Sequence, residues 1–174
     1  DNKFGVKYAS QDISAQAKGA YAREVSADQL TALGVSFAII GHSERREYHG
    51  ESDALVNAKI LAALGAGITP IVCVGEPLEV RQASEHVAYT LAQVDGALAG
   101  LTAQQVASLV IAYEPVWAIG TGEVATPEDA QELAEAIRAR VAELVGAEVA
   151  AGLRILYGGS VKGSNAAELF AMQD

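Results

Sequence analysis

The sequence predicts an α/β fold in which strands and helices alternate around a parallel sheet. Five short, dense apolar runs are each followed by a longer amphipathic segment, which is the order of sequential βα units. Hydrophobicity within the runs is continuous rather than alternating, as parallel strands buried on both faces require. These observations leave two architectures open, a doubly wound sheet and a (β/α) barrel.

Each predicted element has a local signal. The strands are Phe4–Ala9, which is the weakest candidate, Val35–Ile40, Ile71–Val74, Leu109–Tyr113 and Leu153–Tyr157. The clearest helix begins at Thr126, a hydroxyl cap followed by proline and two acidic residues, and Gly146 can close it. One apolar stripe runs along it: Leu133, Ile137, Val141 and Leu144. The other helices are Ala27–Leu33, Asp53–Leu64, Glu85–Leu98 and Ala166–Met172.

Composition bounds the function. The 174 residues, 51% hydrophobic and 20% charged, predict one folded domain over residues 1–174, since no linker divides them. A net charge of −10 disfavours nucleic acid or an anionic membrane as a partner. We find no membrane-spanning apolar run and no signal-peptide pattern at residues 1–5. A single cysteine, Cys73, excludes a disulfide framework and a multi-cysteine metal site, and we expect a cytoplasmic location.

Glycine and ionisable residues follow the dense runs. The segments are Gly41–Glu44, Gly75–Glu76, Glu114–Trp117 and Gly158–Ser160. Such residues at the carboxyl ends of strands are typical of a barrel active site, although for any one segment taken alone we favour an ordinary βα turn. Several together favour the active site.

Glu114 is the candidate general base. It stands at the end of a predicted buried strand, before an apolar Pro-Val-Trp segment that would keep the site poor in water. The small residues that follow could form the tip of a lid. The alternative is a strand-terminal glutamate in a salt bridge.

His42 is the candidate electrophile. A histidine between a strand and a helical turn has backbone N–H groups directed at its ring, which favours the neutral imidazole and lets it donate to a carbonyl or enolate oxygen. A structural histidine is the alternative. Glu44, Arg45 and Arg46 could form an ion-pair cluster that fixes the loop, and we prefer this for the arginines. His49 and His86 are interpreted as surface residues.

A third segment, Tyr157-Gly158-Gly159-Ser160, is a weaker candidate for an oxyanion or phosphate nest. With the segments around His42 and Glu114, and in this order, it closely resembles the triosephosphate isomerase family. Supporting segments are Gly19–Tyr21, Glu24–Ser26 and Cys73–Glu76. The resemblance extends from about Val6 to Asp174 and implies a (β/α)8 barrel.

The resemblance also implies roles. The family interconverts dihydroxyacetone phosphate and glyceraldehyde 3-phosphate through an enediolate, in glycolysis and gluconeogenesis, with no cofactor and no metal. Glu114 would be the base and His42 the neutral electrophile. Residues 115–123 would be the lid, and Gly120 and Ser160 would hold the phosphate. Tyr157, with Ser160, would latch the lid, and Glu44 would be a supporting residue.

The chain departs from the family pattern. It offers only five βα units, corresponding to strands three to seven, whereas such a barrel has eight in ~250 residues. The family lysine after strand one, which neutralises the phosphate, has no counterpart in Lys3, Lys7, Lys18, Lys59 or Lys162. We therefore expect the 174 residues to be a portion of a full-length enzyme and to be essentially inactive alone.

A second departure concerns assembly. The family usually has Thr-Gly where Ala22 and Arg23 stand, in the loop that inserts into the neighbouring subunit. The homodimer that the resemblance implies is therefore expected to be weakened.

Two other functions stay open: an inactive unit that only binds anions or assembles with a partner, and another phosphate-binding barrel enzyme. The latter would not need both Glu114 and the lid behind it.

Overall fold

A computed structural model describes residues 5–119, 121 and 123–174, and it contains one parallel sheet. The strands are β1 (Tyr8–Ser10), β2 (Val35–Ile40), β3 (Thr69–Val74), β4 (Val110–Tyr113) and β5 (Arg154–Tyr157). Their order in the sheet is their order in the chain. A doubly wound sheet reverses its strand order at a switch point, whereas a (β/α) barrel does not. The structure therefore confirms the predicted α/β class and has the topology of a partial barrel.

Helices cover the outer face of this sheet. They are α1 (Ala27–Ala32), α2 (Ser43–His49), α3 (Asp53–Gly65), α4 (Leu78–Gln82), α5 (His86–Leu98), α6 (Ala103–Ala107), α7 (Pro127–Val145), α8 (Ala147–Gly152) and α9 (Ala166–Leu169). The five predicted helices agree with α1, α3, α5, α7 and α9 to within a few residues. The short helices α4, α6 and α8 were not predicted, because five or six residues carry too little periodicity to register.

Helix α7 begins and ends as predicted. The Thr126 hydroxyl accepts the Asp129 N–H at 3.1 Å, and the Asp129 carboxylate accepts the Thr126 N–H at 2.9 Å, which makes a reciprocal cap. Gly146, at φ 105°, closes the helix. Three of the four residues in the predicted stripe are buried, but Leu144 is 42% exposed and Val145 packs against the core in its place.

Burial of every strand on both faces was the one wrong prediction about the sheet. The central strands β3 and β4 are largely buried, whereas in β5 Arg154 and Leu156 are exposed, and in β1 Tyr8 is. Strands β1 and β5 each have a strand neighbour on one side only among the described residues. The apolar composition of β1 and β5 therefore does not predict how exposed their side chains are.

The loop containing Ala22 holds a strained residue. Arg23 has φ 71°, a left-handed conformation that side chains with a Cβ rarely adopt. We expect Arg23→Gly to stabilise the fold by about 0.5–1 kcal/mol, because the relief of strain exceeds the added flexibility of the unfolded chain. Urea denaturation measures the change. Arg23→Ala is the matched control, since it removes the cation and keeps the strain; an equal gain in that variant would contradict the argument.

Candidate active site

The carboxyl ends of β2 and β4, the strands on either side of β3, bring His42 and Glu114 together. His42 lies two residues after β2, and Glu114 directly follows β4. The Glu114 N–H extends the ladder by donating to the Val74 carbonyl at 2.8 Å. His42 Nε2 lies 2.9 Å from Glu114 Oε1. Two residues 72 positions apart in the chain are thus in contact at the carboxyl ends of the strands.

The position of the His42 proton follows from its second nitrogen. The backbone N–H of Glu44 donates to His42 Nδ1 at 3.2 Å, so that nitrogen carries a lone pair. His42 is the N-cap residue of α2, and this position fixes the orientation of its ring. A neutral ring therefore carries its proton on Nε2, the atom that faces Glu114. The role of His42 as the donor to a substrate oxygen stays a prediction.

Glu114 is held in a dry environment. Only 4% of the residue is exposed, and burial raises the pKa of its carboxyl group. The surrounding groups oppose this effect: His42 Nε2 lies 2.9 Å from Oε1, the Ser43 N–H donates to Oε2 at 2.9 Å, and the Arg46 guanidinium adds positive charge. The carboxylate is thus a stronger base than a solvated glutamate, and both its oxygens have defined partners.

Gly75 is required by the close approach of its backbone to the backbone of Glu114. A Cβ atom on Gly75 would lie 1.7 Å from the Glu114 carbonyl oxygen. On the other side, a Cβ on Gly158 would lie 3.1 Å from Glu114 Cγ. The two glycines therefore let the backbone around Glu114 pack between its neighbours.

Two residues near Glu114 were not predicted to belong to the site. The thiol of Cys73, which is buried at the end of β3, is hydrogen-bonded to Glu114. Burial, reinforced by the Glu114 charge, raises the pKa of this thiol. Arg46 pairs with Asp53 at 2.6 Å and donates to the Gly41 carbonyl at 2.8 Å. Strand position alone placed Cys73 in the core, and only the fold places it against the carboxylate.

A buried cluster anchors the start of the predicted lid. Glu76 is fully buried and accepts hydrogen bonds from Trp117 Nε1 at 2.8 Å and the Tyr113 hydroxyl at 3.0 Å. Arg81 pairs with Glu76 at 3.2 Å and lies over the Trp117 ring, 4.9 Å from its centroid. Val116–Ala118 form a 3-10 turn. The segment Val116–Ala118 is therefore held in place by side-chain contacts.

The other candidate residues have different outcomes. Gly120 lies outside the described residues. Ser160 is exposed in the loop after β5, where its carbonyl accepts the Asn165 side-chain amide at 3.1 Å. Tyr157 pairs in register with Tyr113, and its hydroxyl lies close to Gly159 and Pro115. Among the described parts of the loop, Thr121 donates to the Trp117 carbonyl at 2.7 Å. The phosphate and latch roles of these residues remain predictions.

The residues around His42 were interpreted with partial success. Arg45 and Arg46 do form ion pairs, but their partners are Asp12, Glu51 and Asp53. Glu44 is exposed in the first turn of α2 and approaches His42 through its backbone N–H.

His49 is exposed, as expected, but the surface assignment of His86 is wrong. Its side chain is only 16% exposed and lies 3.1 Å from Glu132. Packing of α5 against α7 covers His86, which local composition could not reveal.

Lys59 is buried in a separate ion-pair network. Its ammonium group donates to Asp12 at 2.6 Å and to Glu51 at 2.5 Å, and Arg45 contacts both carboxylates. The ammonium group of Lys59 is therefore paired with Asp12 and Glu51 and not with Glu114 or His42. This agrees with the expectation that Lys59 does not take the role of the family's phosphate-binding lysine. Within the described ranges there is no cluster of histidine, cysteine and acidic side chains suited to a metal ion.

This network predicts a loss of stability in acid. Burial alone would raise the pKa of Glu51, but hydrogen bonds from Lys59 and Arg45 outweigh it and lower the pKa below 4.5. A lowered pKa in the folded state stabilises the fold above the unfolded value, and this contribution disappears as the pH falls below 4.5. We expect Glu51→Gln to lower the free energy of unfolding by about 1–3 kcal/mol at pH 7, and by less as the pH falls below 4.5. Urea denaturation across pH 3–7 tests this, and a pH-independent cost would contradict it.

Comparison with known proteins identifies the family. A family model described as triosephosphate isomerase matches residues 2–174. The chain belongs to the triosephosphate isomerase family. It is 57% identical over 173 residues to a triosephosphate isomerase of Corynebacterium diphtheriae, covering 99% of this chain and 66% of that protein. A triosephosphate isomerase of Corynebacterium glutamicum is 58% identical, and one of Streptomyces coelicolor 55%; each alignment covers 99% of this chain and 67% of the relative.

Two facts accompany this membership. The chain spans about 66% of the length of the first triosephosphate isomerases that it matches. Among the helices described for this family member, none combines the length and the apolar character needed to cross a membrane.

Proposed function

We propose that this chain carries the base and the electrophile of a triosephosphate isomerase. The reaction is the interconversion of dihydroxyacetone phosphate and glyceraldehyde 3-phosphate, by proton transfer through an enediolate and without a cofactor. The observation that supports this most strongly is the 2.9 Å contact between the buried carboxylate of Glu114 and the imidazole of His42. Family membership supplies the substrate class.

Glu114 is the group that removes the proton. Isomerisation requires one base to take a proton from the carbon beside the carbonyl and return it to the neighbouring carbon. A desolvated carboxylate whose pKa is raised suits both steps, because it binds the proton more readily and releases it again. The contact with His42 and the hydrogen bond from the Ser43 N–H must be exchanged for the substrate carbon before transfer.

His42 stabilises the oxygen on which charge develops. When Glu114 turns to the substrate, the proton on His42 Nε2 becomes free to donate to the carbonyl oxygen. The Glu44 N–H at Nδ1 keeps the ring in this tautomer throughout. A donor fixed in this way contributes about 2.7–4 kcal/mol to transition-state stabilisation in comparable oxyanion sites.

Phosphate binding is the incomplete part. We propose Gly120 and Ser160 as phosphate contacts, Tyr157 and Ser160 as the latch of the lid, and Glu44 as a support for His42 through its backbone. No described lysine has the sequence context of the family's phosphate-binding lysine, and the chain carries a net charge of −10. Loss of one preorganised donor typically slows such reactions about 100- to 1,000-fold. We therefore expect the 174-residue chain to be essentially inactive beside a typical isomerase.

Kinetics and inhibitor binding test this proposal together. The isolated chain, with its mass verified, is assayed for isomerase turnover and for thermal stabilisation by 2-phosphoglycolate, an anion that resembles the enediolate. Slow turnover with a measurable rise in Tm supports the proposal. Turnover with no dependence on Glu114 would refute it.

The alternative is an inactive unit that only binds or assembles. The exposed edge strands β1 and β5 favour it, because unpaired parallel edges invite another polypeptide. Such a unit would show no rise in Tm with 2-phosphoglycolate and no exchange of the substrate's carbon-bound proton. A different phosphate-binding barrel enzyme would be stabilised by its own substrate but not by this inhibitor.

We also propose a homodimer in the cytoplasm, following the family, with an interface weakened by Ala22 and Arg23. Sedimentation at micromolar concentration tests the assembly. A monomer that becomes dimeric on restoring Ala22→Thr with Arg23→Gly would support the weakened interface. A stable dimer in the unmodified chain would contradict it.

A further inference from the structure

The side chain of Arg46 joins three segments that are far apart in the chain. Its Nε donates to the carbonyl of Gly41, directly after β2, at 2.8 Å, and one Nη pairs with Asp53, the first residue of α3, at 2.6 Å. The other Nη donates to the carbonyl of Cys73 in β3 at 3.3 Å. Only 16% of the side chain is exposed. Each nitrogen of the guanidinium group therefore has a defined acceptor in a sheltered position.

Arg46 holds the two peptide groups on either side of His42. Its side chain binds the Gly41 carbonyl, which belongs to the peptide before His42, and its backbone N–H donates to the His42 carbonyl at 3.0 Å. That carbonyl belongs to the same peptide group as the Ser43 N–H, which donates to Glu114 Oε2 at 2.9 Å. The backbone from which the imidazole projects is therefore fixed by Arg46 on both sides.

The contact with Cys73 extends to the supports of Glu114. Cys73 precedes Val74, whose carbonyl accepts the Glu114 N–H at 2.8 Å. The thiol of Cys73 is hydrogen-bonded to the Glu114 carboxylate. One guanidinium group thus contacts both the strand end before His42 and the strand end beside Glu114.

Two glycines make room for the pair of Arg46 and Asp53. A Cβ atom on Gly41, whose φ is 73°, would lie 3.1 Å from an Arg46 nitrogen. A Cβ atom on Gly96 of α5 would lie 2.6 Å from the Cβ atom of Asp53. The ion pair is therefore packed closely between α5 and the turn before His42, and it cannot shift without moving that turn.

The charge of Arg46 also acts on Glu114. Burial raises the pKa of the Glu114 carboxyl group. The titratable groups that oppose this effect are His42, Arg46 and Cys73, together with one backbone N–H. Asp53 offsets the charge of Arg46 and so reduces its effect at Glu114.

From these contacts we propose that Arg46 is a positioning residue for the isomerase reaction. Its guanidinium group fixes the separation between the His42 imidazole and the Glu114 carboxylate, and it places positive charge beside the carboxylate. This inference rests on the proposed function, in which these two groups act together on a substrate. Lysine cannot replace Arg46 in this role, because an ammonium group lacks the planar fork that reaches all three acceptors at once.

Arg46→Lys tests the positioning, since it keeps the charge and loses the fork. Exchange of the substrate's carbon-bound proton with deuterated solvent is followed by NMR at increasing substrate concentrations. We expect the maximal rate to fall about 10- to 100-fold and KM to stay unchanged, because the reacting groups are misplaced while the substrate contacts remain. A raised KM with an unchanged maximal rate would overturn the proposal, since Arg46 would then bind the substrate.

Arg140→Lys is the matched control. The ion-pair partners of Arg140 are Asp95 at 2.7 Å and Glu143 at 2.7 Å, which lie on α5 and α7 and not at the strand ends. This variant should keep both the maximal rate and KM. An equal loss of rate in the two variants would show that loss of any arginine ion pair is sufficient, and would overturn the proposal.

A titration of Glu114 does not depend on turnover. Carbon-13 NMR of the glutamate-labelled chain follows its carboxyl group, whose signal is assigned by its absence in Glu114→Gln. We expect Arg46→Met to raise the pKa of Glu114, through loss of positive charge, and Asp53→Asn to lower it, since the charge of Arg46 is then no longer offset. A purely structural ion pair would lower Tm in both variants without this difference in sign. Shifts in the same direction, or no shifts, would overturn the proposal.

The two measurements separate this inference from the function on which it rests. Circular dichroism establishes that each variant is folded, and Asp53→Asn decides the titration by itself if Arg46→Met does not fold. Absence of exchange in the unmodified chain, with the expected shifts in the titration, would contradict the proposed function but not the coupling of Arg46 to Glu114. Exchange that is lost in Glu114→Gln and unchanged in Arg46→Lys would support the proposed function and overturn the role of Arg46.

Discussion

Glu114→Gln is expected to abolish proton transfer. The amide keeps the shape and one acceptor, but it cannot take a proton, and loss of a positioned general base typically costs about 10²- to 10⁴-fold in rate. Exchange of the substrate's carbon-bound proton with deuterated solvent, followed by NMR over hours, detects even the slow turnover expected of this chain.

The stability of the same variant provides a check. Since burial raises the pKa of Glu114, the ionised form is unfavourable in the folded state at pH 7. Glu114→Gln should therefore unfold at the same temperature as the unmodified chain or higher. Glu135→Gln, at an exposed position on α7, is the control and should retain full exchange. Unchanged exchange in Glu114→Gln would rule out Glu114 as the base.

The largest effect on stability is expected for Gly75→Ala. A Cβ on Gly75 would lie 1.7 Å from the Glu114 carbonyl oxygen, and a backbone atom cannot move aside as a flexible side chain can. We expect a loss of about 3–5 kcal/mol in the free energy of unfolding, at the upper end of overpacking effects. Urea denaturation measures it.

Gly65→Ala is the matched control for this substitution. Gly65 is the last residue of α3, and a Cβ there would meet nothing within 4 Å. This variant should be unchanged or up to about 1 kcal/mol more stable, because alanine favours the helix. Equal losses at the two positions would show that the close approach to Glu114 is not the cause.

Local patterns in the sequence were sufficient to predict the elements whose signals come from neighbouring residues. The strand β2 agrees residue for residue with its prediction, and the Thr126 cap and Gly146 closure of α7 are as expected. These signals depend on neighbours within a few positions, so a single sequence contains them. The strand-end positions of His42 and Glu114 were predicted in the same way, whereas their roles came from the family resemblance and stay predictions.

Contacts between distant segments could not be predicted in this way. Three features depend on which elements become neighbours: the Cys73 thiol at Glu114, the Gln93 side chain at the Gly75 N–H, and the exposure of Leu156. Family resemblance supplied roles for Gly120 and Ser160 but no geometry for them.

The sequence by itself determined the order of strands and helices, the helix caps and the types of residue at the strand ends. Each of these features depends only on residues that are close together in the chain. Only the tertiary structure decided that His42 Nε2 faces Glu114 and that the Glu44 N–H holds the other nitrogen. The physical reason is that a hydrogen bond requires a separation within a few tenths of an ångström, and for residues 72 positions apart the packing of the whole sheet sets that separation.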